Sequence, residues 1–426
     1  MLDNDDVKTA KQMDQDDTLS EFRNRFLIDD PDLIYLDGNS LGRLPKDTTP
    51  LLQHTIGNAW GKRLIRSWNE GWIEMPEVLG AKIAQLVGAQ PDEIIVTGAT
   101  SINLFKLAAA TLRARPGRSG IVSDVFNFPS DLYILQGLIE FLGGKHTLDL
   151  IQSSDGIHIS DEAIRNAITP ETALVTLSHV AFKSAFMVDM AFVTARAHEA
   201  GALVLWDLSH AAGAVPVDLN GSGADLAVGC TYKYLNGGPG APAFLYVRKD
   251  LQAELMQPMW GWLGAERPFE FNMQYKPAAD ISRFKVGTPP ILSMAAVQTG
   301  VEMLLEAGMD NLRKKSISQT EYMIMLFDQW LAPLGFSLGS PREASQRGSH
   351  ISLKHPEAFR ITQALIESPP PAVRVIPDFR TPDNIRFGIT PLYTSYMDIY
   401  RAMARLREIA AQKNYQQYSH ERQKVT

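Results

Sequence analysis

Between residues 203 and 247 the sequence reads LVLWDLSHAAGAVPVDLNGSGADLAVGCTYKYLNGGPGAPAFLYV. Asp207 closes an apolar, β-branched run, His210 follows three residues on, and Lys233 stands 26 positions after the acid, between Tyr232 and Tyr234. An aldehyde cofactor needs this set, because a lysine holds the aldehyde as a Schiff base and a carboxylate keeps a pyridine nitrogen protonated. Two aromatic neighbours and an apolar run before it favour burial of Lys233, and burial lowers an amine toward the neutral form that attacks a carbonyl. A phosphate on such a cofactor needs an anchor. The segment TGATSINLF (97–105) offers a strand end, a small-residue turn, Thr100 and Ser101, and a helix start whose N–H groups attract anions. The same hydroxyls would serve equally as helix caps. In FNFPSDLY (126–133), Phe128 supplies a ring to stack on a pyridine, or a core aromatic.

The elements that must position these groups follow from the apolar pattern. Runs at 93–97, 120–123, 173–177, 202–206, 225–228 and 243–247 read as strands buried on both faces, with helices expected over 103–113, 131–142, 161–167 and 190–200. This predicts an α/β domain with a mostly parallel sheet between helices. Beyond about residue 290 the pattern shifts to long helices and a few strands, with Tyr396, Ile399, Met403, Leu406 and Ala410 forming an amphipathic stripe. We expect a mobile tail over 1–17, a segment over 18–50 joining the smaller domain, a large cofactor-binding domain over 51–295 and a smaller α/β domain over 296–426. Thr18 and Glu21 have capping-box spacing, so a first helix is expected near Thr18.

Composition removes other classes. The 426 residues carry 41 Lys and Arg against 48 Asp and Glu, a net charge of −7 that disfavours a nucleic-acid partner. One cysteine excludes an intrachain disulfide framework or a multi-cysteine metal site, so no metal is expected and a cytoplasmic setting is. No signal peptide or membrane span is expected either.

The order Asp207-x-x-His210, strand, Tyr232-Lys233 resembles the fold-type I pyridoxal-phosphate (PLP) enzymes of the class V aminotransferase superfamily, whose sheet is of a seven-stranded type. GNSLG (38–42), RSWNEGW (66–72), TSINLFKL (100–107), FPSDLY (128–133), DLSHAAGAVPVDL (207–219), YKYLNGGPGAPAF (232–244), GW (261–262), GTPPIL (287–292), RGSH (347–350) and IRFGITPLY (385–393) together resemble the kynureninase family. That resemblance implies a homodimer with active sites at the interface, and hydrolysis of L-kynurenine or its 3-hydroxy form to the anthranilate and L-alanine in tryptophan catabolism. It gives Lys233 the cofactor and the proton shuttle, and Asp207 the pyridinium, with His210 beside it. Thr100, Ser101 and Tyr232 would reach the phosphate, Tyr232 also being a candidate acid. Phe128 would stack on the ring near Asp131 and Ser178, while Trp262 and Thr288 would close the pocket from the neighbouring subunit. Ser40 and Arg386 would bind substrate, Arg386 through its α-carboxylate, although a surface ion pair would also account for that arginine.

Departures from the family pattern fall near the substrate. Ala265 replaces a histidine, and His179–Met187 lacks an asparagine, a glycine and a basic residue at 181, 185 and 186. Ser209 and Ala211 invert a common alanine and serine. Loss of polar partners would suit a different β-acyl-alanine. A desulfurase or aminotransferase on the same fold is a weaker reading, since Cys230 sits where a small buried residue is expected. A dinucleotide oxidoreductase lacks its GxGxxG helix start, and a non-catalytic relative would not be expected to keep both Lys233 and Asp207.

Overall fold

A computed structural model of the chain describes residues 4–421. The chain opens with helix α1 (Asn4–Gln15), β1 (Leu33–Tyr35), α2 (Thr48–His54) and α3 (Met75–Val87). It then alternates: β2 (Ile94–Val96), α4 (Thr100–Ala114), β3 (Gly120–Asp124), α5 (Pro129–Phe141), β4 (Thr147–Ile151), α6 (Asp161–Ala167), β5 (Thr172–Ser178), α7 (Met190–Ala200), β6 (Leu203–Asp207), β7 (Leu226–Gly229) and β8 (Phe244–Val247). These strands form one seven-stranded sheet in the order β2-β8-β7-β6-β5-β3-β4. Neighbours are parallel except at β8, which runs antiparallel to β2 and β7. All residues of β2, β3 and β5 to β8 are buried, as continuous apolar strands between two layers of helices must be. β4 was not expected. Its TLDLI sequence alternates in exposure at the sheet edge, so no continuous apolar run marks it.

The remainder comprises α8 (Ile291–Ala307), α9 (Met309–Leu326), β9 (Ser337–Leu338), β10 (His350–Lys354), α10 (Ala358–Ile366), β11 (Arg374–Ile376), β12 (Asp378–Arg380), β13 (Asn384–Gly388) and α11 (Tyr396–Gln412). An antiparallel sheet β12-β13-β10-β9 and the parallel pair β1-β11 share a second core with α9, α10 and α11. Tyr396, Ile399, Met403, Leu406 and Ala410 are the buried face of α11, which a capping box from Ser395 and Asp398 starts.

Three expectations need correction. Residues 4–15 are no mobile tail: Ala10 is buried in the second core with Val7 and Met13 against it, and the Asp14 carboxylate accepts from the N–H groups of Tyr396 (2.7 Å) and Met397 (3.0 Å). That carboxylate meets the positive end of α11. Residues 1–3 of the expected tail, and 422–426 of the last domain, lie outside the described residues. No α-helix starts at Thr18, because Asp17 takes the Leu19 N–H (2.9 Å) and leaves a short 3-10 turn over Ser20–Arg25. Finally, a boundary at 295/296 falls inside α8, whose Met294, Val297, Val301 and Leu304 all enter the first core. Segment 18–50 also touches both cores, through Leu19 and Phe26 on one side and Ile34 and Leu36 on the other.

Candidate active site

Ligands of open α/β sheets bind beyond the carboxyl ends of the strands. Here β5 and β6 end on Ser178 and Asp207, which are register partners. Asp207 is buried, with Oδ1 accepting from Ser209 N–H at 2.8 Å and Oδ2 lying 3.5 Å from Ser178 Oγ. Ser178 Oγ in turn lies 2.9 Å from Asn127 Oδ1. Asp131, in the first turn of α5, is also buried, and its Oδ2 has no hydrogen-bond partner among the described residues. Burial and then the Asp207 charge hold Asp131 well above the usual carboxylate range, although Lys233 pulls the other way.

Lys233 lies in the loop after β7, half-buried, with Nζ 3.0 Å from His210 Nε2 and 5.8 Å from the centre of the Phe128 ring. Burial, then the Lys233 amine, push His210 well below its ordinary range, with His350, Arg386 and Arg380 adding to it. The loop is clamped by the GNSLG segment: Gly42 N–H donates to Tyr232 O at 2.8 Å, and a Cβ at Gly42 would come within 2.4 Å of Lys233 O. Only glycine allows that approach. The Tyr232 phenol is pushed up, chiefly by burial and then by Cys230 and Asp207, so it is a protonated donor.

At the far side of the site, Gly98 has φ +57° and turns the chain from β2 into α4, where Thr100 and Ser101 stand at the first two positions. Ser101 Oγ is 2.9 Å from Ser130 Oγ, which joins the start of α5 to the same cradle. Arg386 on β13 is almost wholly buried. Nη1 donates to Phe182 O, and Nη2 donates to Asp378 and, at 3.3 Å, to Ser40 Oγ. Ser40 and Arg386 are therefore together, and Arg386 does pair with an acid, Asp378, but in the interior and not at the surface as the alternative had it.

Among the described residues neither Trp262 nor Thr288 makes a ring contact or hydrogen bond to Lys233. Both are exposed, and Trp262 stacks on Phe271 at 6.3 Å beside a hollow that Ala265 and Tyr275 also line. Residues 181–186 form a turn in which Ala185 takes φ +65° where the family pattern has glycine, while Phe182 packs edge-on against Phe128 at 5.3 Å. Phe186 is buried against His158 (5.2 Å). Ser209 Oγ accepts from Cys230 N–H at 3.3 Å, so this departure braces Asp207's loop. Cys230 itself is buried with its thiol pushed up by burial, unlike a mobile nucleophile.

Sequence reasoning missed Asn127, Ser130, Phe182, His350 and Asp378, and also Asp37, which follows β1 and bridges to Gly388 at the end of β13. Ser130 and His350 lie within FPSDLY and RGSH, and Asp378 could have been found by reading 378–386 as a hairpin that sets it opposite Arg386.

The buried orphan oxygen of Asp131, the amine of Lys233, the carboxylate of Asp207 at a strand end and the Gly98 turn with three hydroxyls form a donor set that fits PLP. Residues 312–406 match the family model described as the kynureninase C-terminal domain. The chain is 44% identical over 410 residues to a kynureninase of Pseudomonas fluorescens, covering 95% of each chain. The chain belongs to the kynureninase family. A kynureninase of Burkholderia mallei is 45% identical over 405 residues, covering 94% of each chain. Solved structures similar to this kynureninase-family chain include an apo cysteine desulfurase from Thermococcus onnurineus (TM-score 0.76, 18% identity, 94% of this chain and 98% of that one). A cysteine desulfurase from Escherichia coli gives a TM-score of 0.77 at 17% identity, over 93% and 99%. At that identity they establish the fold-type I architecture alone, and the chemistry rests on the kynureninase relatives and the site.

Proposed function

We propose that the protein hydrolyses the Cβ–Cγ bond of L-kynurenine to anthranilate and L-alanine. The observation that carries this is Lys233 beside His210, within one site with Asp207, Asp131 and Arg386, in a chain of the kynureninase family over nearly its whole length. PLP, when bound, supplies the electron sink that makes Cα and then Cβ able to carry negative charge. Thr100, Ser101 and Ser130 would hold its phosphate with the first N–H groups of α4, Asp207 would meet the pyridine nitrogen, and Phe128 would cover the ring. Arg386 orients the substrate through its α-carboxylate. Lys233 Nζ takes the proton from Cα, with neutral His210 fixing the amine's direction. Tyr232, kept protonated by burial, donates as water adds to the γ-carbonyl and the acyl group departs.

The same reading makes the protein a homodimer in the cytoplasm, with Trp262 and Thr288 completing the partner's site. Its support is exposed apolar surface in and around the segment between them, where Phe271 is 72% and Met273 100% exposed, and where Trp60, 56% exposed, lines a hollow with Pro289 and Pro290 just after Thr288. Among the described residues no helix is long and apolar enough to cross a membrane. The test is to load the protein with PLP and supply L-kynurenine: an absorbance band lost in Lys233→Ala and release of L-alanine support the reading. A colourless protein after PLP addition contradicts it.

A further inference from the structure

Arg386 shares its pocket with a second guanidinium and two carboxyls. Asp378, opposite Arg386 in the β12–β13 register, accepts from Arg386 Nη2 through Oδ2 and pairs through Oδ1 with Arg380 Nη1 at 2.8 Å. Ser40 Oγ also donates to Asp378 Oδ2, at 3.1 Å. Asp37 lies just beyond β1, where it bridges to Gly388 at the end of β13, and its Oδ1 is shielded from solvent with no hydrogen-bond partner among the described residues. Counting both carboxyls as ionised, the pocket is neutral. A substrate carboxylate would then enter as a surplus negative charge in a poorly solvated place, which is costly.

We propose that Asp37 sets the charge of this pocket: when its carboxyl is protonated, one positive charge is left uncompensated for the substrate's α-carboxylate. The other groups facing Asp37 hold their charge constant near neutral pH. Tyr35 of β1, Tyr234 of the lysine loop and Tyr393 ahead of α11 are phenols pushed up by burial, and so neutral. Arg43 sits over the rings of Tyr35 and Tyr393, at 5.5 and 6.0 Å. His210 and His350 flank Arg386 and are pushed well down by burial, hence neutral, with Lys233 against His210. Asp37 is different. Burial first, then repulsion from Asp378, push it up to about 7, against the opposing pull of Ser40, Arg386 and Arg380. Below that pH, Arg380 and Arg386 outweigh Asp378 by one charge, and above it they do not. Affinity for the α-carboxylate therefore falls as pH rises through neutrality, by linkage.

The proposal rests on Arg386 receiving the substrate carboxylate, and the experiment separates the two. The PLP-loaded wild type, Asp37→Asn, Asp37→Ser and Arg386→Lys are compared from about pH 6 to 8.5, a window spanning the titration. Two constants are read: KM for L-kynurenine, and the dissociation constant for L-alanine from absorbance titration, which needs no turnover. Both should rise with pH about five- to tenfold more in the wild type than in the two uncharged variants, with kcat changing in parallel in all three. Variants that track the wild type overturn the proposal while a raised KM in Arg386→Lys preserves the carboxylate site. Constants unchanged in Arg386→Lys overturn both. Should neither Asp37 variant fold, a flat wild-type dissociation constant overturns the proposal and a rising one supports it.

Discussion

The amine of Lys233 stands 3.0 Å from Nε2 of His210, and the imidazole it meets is held neutral by burial and by that amine's own charge. A neutral imidazole steers the amine without adding charge to the site. His210→Ala should therefore lower kcat about 10- to 100-fold, with KM for L-kynurenine changed less than about threefold, because the loss is in placing a proton carrier. Steady-state kinetics decide it, and a KM effect larger than the kcat effect would place His210 on the substrate instead.

The Asp207 charge lies close enough to disfavour that of Asp131, and with burial, the larger cause, it holds Asp131 well above the usual range. Asp131 is thereby shifted toward its protonated form, and an amide of the same shape should replace it with little loss. Asp131→Asn should keep kcat/KM within about threefold, whereas Asp207→Asn, which removes the charge proposed to meet the pyridine nitrogen, should cost about a hundredfold or more. Equal losses in the two variants would contradict the assignment.

Ala185 adopts φ +65° in a fully buried turn, a conformation that only glycine reaches freely. Ala185→Gly should stabilise the fold by about 1 kcal/mol, the strain removed exceeding the entropy added to the unfolded chain. Chemical denaturation of both proteins measures it, and a less stable glycine variant would show that the turn is not strained.

Lys106, on the buried side of α4, has its amine on Phe284 O at 2.8 Å, and burial alone lowers it to about 7. The unfolded chain binds the proton more tightly than the fold does. Lys106 therefore costs stability below about pH 7, and the cost fades as pH climbs toward the free-lysine value near 10. The melting temperature of the wild type relative to Lys106→Met should rise between pH 7 and 10, and a pH-independent difference would refute it.

The site was legible where chemistry is written in a contiguous run. The strand ending on Asp207 and the loop carrying Lys233 could be placed because six continuous apolar strands define a buried sheet, and the glycine-rich segment marks its own loop. What escaped depended on long-range contact. Asp37 and Asp378 acquire meaning from Arg386 through pairing of β12 with β13 and of residue 37 with residue 388, which no local pattern encodes. Helix α1 was hidden because its polar composition outweighs a three-residue stripe of Val7, Ala10 and Met13 that matters only against α11. Trp262 and Thr288, taken from family resemblance, are exposed in the single chain, so their place in the site depends on the proposed partner subunit.

The most direct measurement is product analysis of the PLP-loaded protein mixed with L-kynurenine, with Lys233→Ala alongside. Anthranilate and L-alanine should appear in equal amounts from the wild type, and neither from the variant. A wild type that shows the PLP absorbance band yet releases neither product would contradict the proposed hydrolysis.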